Sequence, residues 1–63
     1  MSIGAKLKEL RGPRSQRVVA IGCGVTKSAW AMYENNQRIP RDEVKVRIAT
    51  YFGVSVGSIF FDE

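Results

Sequence analysis

Residues 16–33, Gln16-Arg17-Val18-Val19-Ala20-Ile21-Gly22-Cys23-Gly24-Val25-Thr26-Lys27-Ser28-Ala29-Trp30-Ala31-Met32-Tyr33, decide the fold. Ala20, Gly24, Val25, Trp30 and Tyr33 fall at the offsets of two short helices crossing at a tight turn. Such a crossing needs a small residue at the contact, here Ala20, and a Gly in the sharp turn, here Gly24. Ser15 is the expected N-cap of the first helix, with Val19, Ala20 and Cys23 on its inner face. Thr26 is the expected N-cap of the second, which begins near Lys27 and buries Trp30 and Tyr33. Val18 and Ile21 lie off the inner stripe and are read as partly exposed, for self-association or as peripheral packing. Lys27, Ser28, Ala31 and Met32 point away from the buried side, although Met32 also suits a core position.

Ahead of this stretch, Ile3, Leu7 and Leu10 recur at i, i+4 and i+7, the stripe of an amphipathic helix that Gly12-Pro13 must end. Beyond it, Asn35-Asn36 stops the helix, since Asn tolerates left-handed backbone, and Gln37 to Pro40 form a loop. A fourth helix starts at Asp42 or its neighbour, buries Ile48, Ala49 and Phe52, and ends at Gly53. Ser55 caps a short fifth helix whose Ile59 and Phe60 close the core. The expectation is an all-α, compact five-helix bundle forming a single domain over residues 1–63, with the two crossed helices at about 16–34.

The 63 residues suffice for one small domain, and 44% hydrophobic with 25% charged residues is a folded rather than a disordered balance. Residues 1–41 carry eight Lys and Arg against two acids, whereas residues 42–63 carry two against four. The positive field thus belongs to the segment with the crossed helices, which suits either a polyanion-binding face or an ordinary solvated surface. Cys23 is the only cysteine, so no intramolecular disulfide forms, and a buried structural thiol in a cytoplasmic protein is expected. No apolar run approaches the roughly 20 residues that span a bilayer, so a soluble chain with no membrane partner is expected.

The residues give little to catalysis. There is no His, the carboxylates are scattered, and no Ser or Cys has a base in the pattern, so neither an enzyme nor a metal or cofactor site is expected. Gly22 to Ser28, GCGVTKS, is superficially similar to a phosphate loop, but Thr26 replaces the Gly before Lys-Ser and no strand precedes it. Duplex DNA suits the residues better. Free N–H groups at Ser15-Gln16 suit a phosphate, and the Gln16 amide adds a donor. Helix three would lie in the major groove, with Lys27 and Ser28 against base edges and Met32 or Ala29 against a thymine methyl. Asn35, Gln37, Arg38 and Arg41 would hold the phosphate backbone and set register.

The pattern SQ-x-x-VA-x-x-x-G-V-x-x-S-x-x-x-x-YEN-x-x-RIP resembles the phage repressor and Cro type of helix-turn-helix, the xenobiotic-response-element family. The likeness covers nearly the whole chain: IGAKLKELR resembles that family's first helix and DEVKVRIATYFGVSVGSIFF its last two. It implies a lambda-repressor-like domain that binds operator DNA as a transcriptional repressor, usually as a homodimer on a palindromic site. It also implies that Gln16 clamps a phosphate, that Lys27, Ser28 and Met32 touch bases, and that an Arg11–Glu34 salt bridge ties helix one to the end of helix three. Ser58 to Phe61 is the expected dimer interface, with burial of Ile59 and Phe60 inside the monomer as the alternative. Trp30 stands where the family usually has Ile or Leu and Cys23 where it has Leu, so the two are expected to lie close together and compensate in volume. Asn36 replaces a usual Gly, Met32 a polar residue and Gly57 an acidic one. A second reading keeps the domain but makes it a small protein-interaction module, an antitoxin-like partner using Val18, Ile21 and Phe61, with DNA binding secondary.

Overall fold

Four of the five helices begin where a short polar side chain can hold the first turn. Ser2, Ser15, Thr26 and Ser55 have extended backbone, and their hydroxyl oxygens accept the N–H groups of Ala5, Val18, Ala29 and Ser58. Each satisfies a donor that the helix itself leaves unpaired. The computed structural model, which describes residues 2–61, contains α1 (Ile3–Arg11), α2 (Gln16–Cys23), α3 (Lys27–Glu34), α4 (Asp42–Phe52) and α5 (Val56–Phe60). Only α4 lacks a side-chain cap, and Asp42 and Glu43 in its first turn suit the positive end of its dipole instead.

Three helices end in the same way. The Val25 N–H reaches back to the Ala20 carbonyl at 3.0 Å, that of Gln37 to Met32 at 2.9 Å and that of Val54 to Ala49 at 3.0 Å. This closure requires left-handed backbone at the preceding residue, and Gly24, Asn36 and Gly53 supply it at φ 72°, 59° and 68°. Asn36 therefore does the work of the Gly it replaces.

The core is one cluster drawn from all five helices: Leu7 from α1, Val19, Ala20 and Cys23 from α2, Trp30 and Tyr33 from α3, Val44, Ile48 and Ala49 from α4, and Ile59 and Phe60 from α5. α1 packs on α3 and α5, α2 on α3 and α4, and α4 on α5. Cys23 and Trp30 both belong to this cluster. Val18 and Ile21 are exposed.

Three expectations need adjusting. Val44 is buried, whereas Phe52 is only partly so. Its ring sits at the edge of the core, tilted against Trp30 at 6.2 Å and edge-on to Tyr51 at 5.1 Å, with the Arg14 guanidinium 5.2 Å above it. Ala31 and Met32 do not point fully away from the core but are half-buried. Ile59 and Phe60 are buried within the monomer, so the expected interface over Ser58–Phe61 keeps only Ser58 and Phe61 as exposed members. Asp62 and Glu63, half of the acids of the C-terminal segment, lie outside the described residues. Among the described residues no helix is long and apolar enough to cross a membrane.

Candidate nucleic-acid interface

α3 is fastened at both ends. At its start, the Gly24 turn and the Thr26 cap set the angle between α2 and α3. At its end stands Glu34, buried at 8% exposure and surrounded by N–H donors from three helices. Arg11 of α1 donates from Nε to Oε2 at 2.6 Å and from Nη2 to Oε1 at 3.2 Å. Gln16 of α2 donates from Nε2 to Oε1 at 3.2 Å, and the Trp30 indole N–H donates to Oε2. Burial pushes the Glu34 carboxyl up, but the hydrogen bonds from Arg11, Gln16 and Trp30, with the Arg11 charge, outweigh it and hold its pKa below the ordinary 4.5. The same partner raises the Arg11 pKa, against the opposing effect of desolvation. The site therefore keeps a fixed ion pair at neutral pH.

A second fastening lies at the amino end of α1. The Asn36 side chain accepts the Gly4 N–H at 2.9 Å through Oδ1 and donates through Nδ2 to Ser2 Oγ at 3.2 Å. The backbones meet here so closely that a Cβ on Gly4 would stand 2.2 Å from the Glu34 carbonyl oxygen. Gly4 thus has a positional reason that φ alone does not reveal. The corner between α1 and α2 is closed by reciprocal bonds, Arg11 Nη1 donating to the Arg14 carbonyl at 2.8 Å and Arg14 Nε to that of Arg11 at 3.2 Å.

The side chains singled out from the sequence are distributed around this frame. Lys27 and Ser28 are exposed in the first turn of α3, and Met32 is half-buried one turn later. Ser15 is exposed; its oxygen accepts the Val18 N–H, which leaves its own O–H proton to donate outward. Gln16 is half-buried, and one of its two amide hydrogens is committed to Glu34, leaving the other and the carbonyl oxygen. Asn35, Gln37 and Arg38 are exposed after α3, and Arg41 is exposed at the cap of α4.

Several participants were not read from the sequence as part of this site. The i, i+4 spacing of Trp30 and Glu34 is visible in the sequence, but helical spacing marks Trp30 only as core and not as a hydrogen-bond donor to Glu34. Gly4 and Asn36 meet across 32 positions and leave no local signal. Ile39, 67% exposed between Arg38 and buried Pro40, is an apolar side chain on the same loop as the basic residues.

Two capped helices joined through a left-handed Gly, with the end of the second bonded back to the start of the first and the first turn of the second exposed, define a helix-turn-helix. The family model described as "Helix-turn-helix domain" matches residues 2–58. The chain belongs to that family, a class of DNA-binding regulators. No curated protein and no solved structure matched it.

Proposed function

We propose that this domain binds duplex DNA sequence-specifically as a repressor of the Cro/C1 type, acting in the cytoplasm as a homodimer on a palindromic operator. The observation that carries the reading is the shared anchoring of Gln16 and α3. Glu34 terminates α3 and also holds the Gln16 amide at the amino end of α2. A phosphate taken by the remaining Gln16 N–H, the Ser15 hydroxyl and the free backbone N–H groups would fix the register of α3 in the major groove. Lys27 then donates to guanine O6 and N7, Ser28 donates or accepts at the adjoining base, and the exposed part of Met32 meets a thymine methyl. Asn35, Gln37, Arg38 and Arg41 hold the backbone on the far side of the groove. Two copies joined through Ser58 and Phe61 would place half-sites about one helical turn apart.

The test is selection from a random duplex pool, followed by titration of the selected site at several salt concentrations. With about four to six phosphates neutralised per half-site, log affinity falls with log salt at a slope of roughly −4 to −5 per half-site. Lys27→Ala should relax base preference at one position, whereas Arg38→Ala should weaken all sequences alike and reduce the slope by about one. Binding independent of salt, or lost to excess competitor DNA, overturns the reading.

A further inference from the structure

On the outer side of α2 and α4 lies a groove of about 370 Å³ that the proposed DNA contacts do not line. Its floor is formed where α4 crosses Gly22: a Cβ there would stand 2.2 Å from the Tyr51 ring, so the bare glycine lets that ring lie against α2. Its walls carry Ile21 and Val46, 69% and 55% exposed, two aliphatic side chains whose solvation is unfavourable. Val18, also exposed, continues the apolar surface along α2. Thr50 and Arg47 complete it, with Arg47 Nε only 3.6 Å from where a Cβ on Gly24 would be.

The charge lining and flanking this surface is mainly positive. Arg47 is the only charged residue that lines it and forms no ion pair among the described residues. Arg17 is exposed one helical turn before Ile21, and the Arg14 guanidinium sits 5.7 Å above the Tyr51 ring. The nearest carboxylate in sequence is Glu43, one turn before Val46 and Arg47 on α4. A second copy of the chain docked here about a twofold axis would set the same arginine-bearing surface against itself, which opposes self-association. An apolar surface lined by Arg47 and flanked by Arg17, neither in an ion pair among the described residues, is complementary to an amphipathic segment that carries carboxylates beside its apolar stripe.

We infer that the α2–α4 groove is a docking site for an acidic amphipathic helix of a partner protein. Ile21 and Val46 receive its apolar stripe, and Arg47 and Arg17 pair with its carboxylates. This does not depend on DNA binding, and the experiment uses none. The full chain, labelled for amide NMR, is titrated with a helical peptide of about 18 residues, long enough to hold a helix in water, bearing a Leu stripe flanked by Glu. A control peptide has Lys in place of every Glu. The acidic peptide should shift the amides of Ile21, Gly22, Val46, Arg47 and Thr50, and the Lys peptide should not. Ile21→Ser and Arg47→Glu, both at exposed positions and checked for an unchanged melting temperature, should each weaken the acidic peptide about tenfold. Arg47→Glu should also admit the Lys peptide. Equal binding of both peptides, shifts centred elsewhere, or no binding overturns the inference. So does movement of the same amides with protein concentration alone, which would make a second copy the occupant.

Discussion

Replacing Glu34 by Gln keeps the shape of the buried side chain and removes its charge. Glu34 offers two oxygens to four N–H donors, and Gln offers one oxygen and turns an NH2 group toward donors. Trp30 has no exposure, so the surviving oxygen should stay with the indole and Arg11 Nε, and the new NH2 should face Gln16, which lies nearer solvent. The loss is then one charge-assisted bond to Arg11, the bond from Gln16, and the compensation of the Arg11 charge. Hydrogen bonds to charged groups contribute about 1.5–3 kcal/mol, and stripping one partner from a buried pair costs about 3–5 kcal/mol. The Arg11 side chain is 17% exposed and keeps some hydration, which places Glu34→Gln near the lower end, at about 2–3 kcal/mol. A chain of this length has roughly 3–9 kcal/mol in total, so the melting temperature should fall by roughly 10–20 °C. Urea denaturation read by the fluorescence of the single Trp30 measures the change. Arg11→Met alone should also destabilise. The double variant should lose less than the two single losses added, by at least about 1 kcal/mol. Additive losses, or a Glu34→Gln protein within about 0.5 kcal/mol of the parent, would refute the claim that the pair organises this corner.

The acid limb of stability should come in part from the same carboxyl. Its pKa is lowered by folding, so its contribution is complete above the ordinary value of 4.5 and disappears as pH falls through the lower folded value. A pH series of melts should show a shallower acid limb in Glu34→Gln. Gly4→Ala adds about 1 kcal/mol of helix propensity but drives a Cβ into the Glu34 carbonyl, and overpacking of about 1–3 kcal/mol should make it net destabilising. A stabilised Gly4→Ala on thermal melting would contradict the close approach. In Gly22→Ala the nearest obstacle is the Tyr51 ring, a side chain rather than backbone, so it should cost less than Gly4→Ala and should loosen Arg14 from that ring, which the Arg14 side-chain NMR signal would report. Burial raises the Cys23 thiol pKa against a smaller opposing effect of the Arg47 charge, so disulfide reagents should modify the chain only through its opened form and should react faster with destabilised variants.

What the sequence displays openly is what neighbouring residues decide. Ser15, Thr26 and Ser55 are caps because the donor each one satisfies is three positions away, and Gly53 ends α4 because left-handed backbone is a local need. Trp30 and Tyr33 are legible as core for the same reason, through helical spacing. The convergence on Glu34 was less legible: the resemblance implied Arg11 as its partner, but Gln16 joins from 18 positions away through a fold that had to be assembled first. Gly4 is the extreme case, an unremarkable glycine in an amphipathic helix until the end of α3 is laid across it. Met32, open between surface and core in the sequence, is half-buried: helical phase assigns a face, but the packing of neighbouring helices decides how much of that face is covered.

The fastening of α3 at both ends bears on how discrimination between DNA sites would arise. A helix held at Gly24 by backbone and at Glu34 and Asn36 by side chains has little freedom to tilt toward a poor site. In the proposed complex, adaptation would then fall on the rotamers of Lys27, Ser28 and Met32 and, beyond their short reach, on the DNA itself. Base steps that bend or narrow easily would be preferred even where no side chain touches them, so part of an operator's identity would be written in its stiffness.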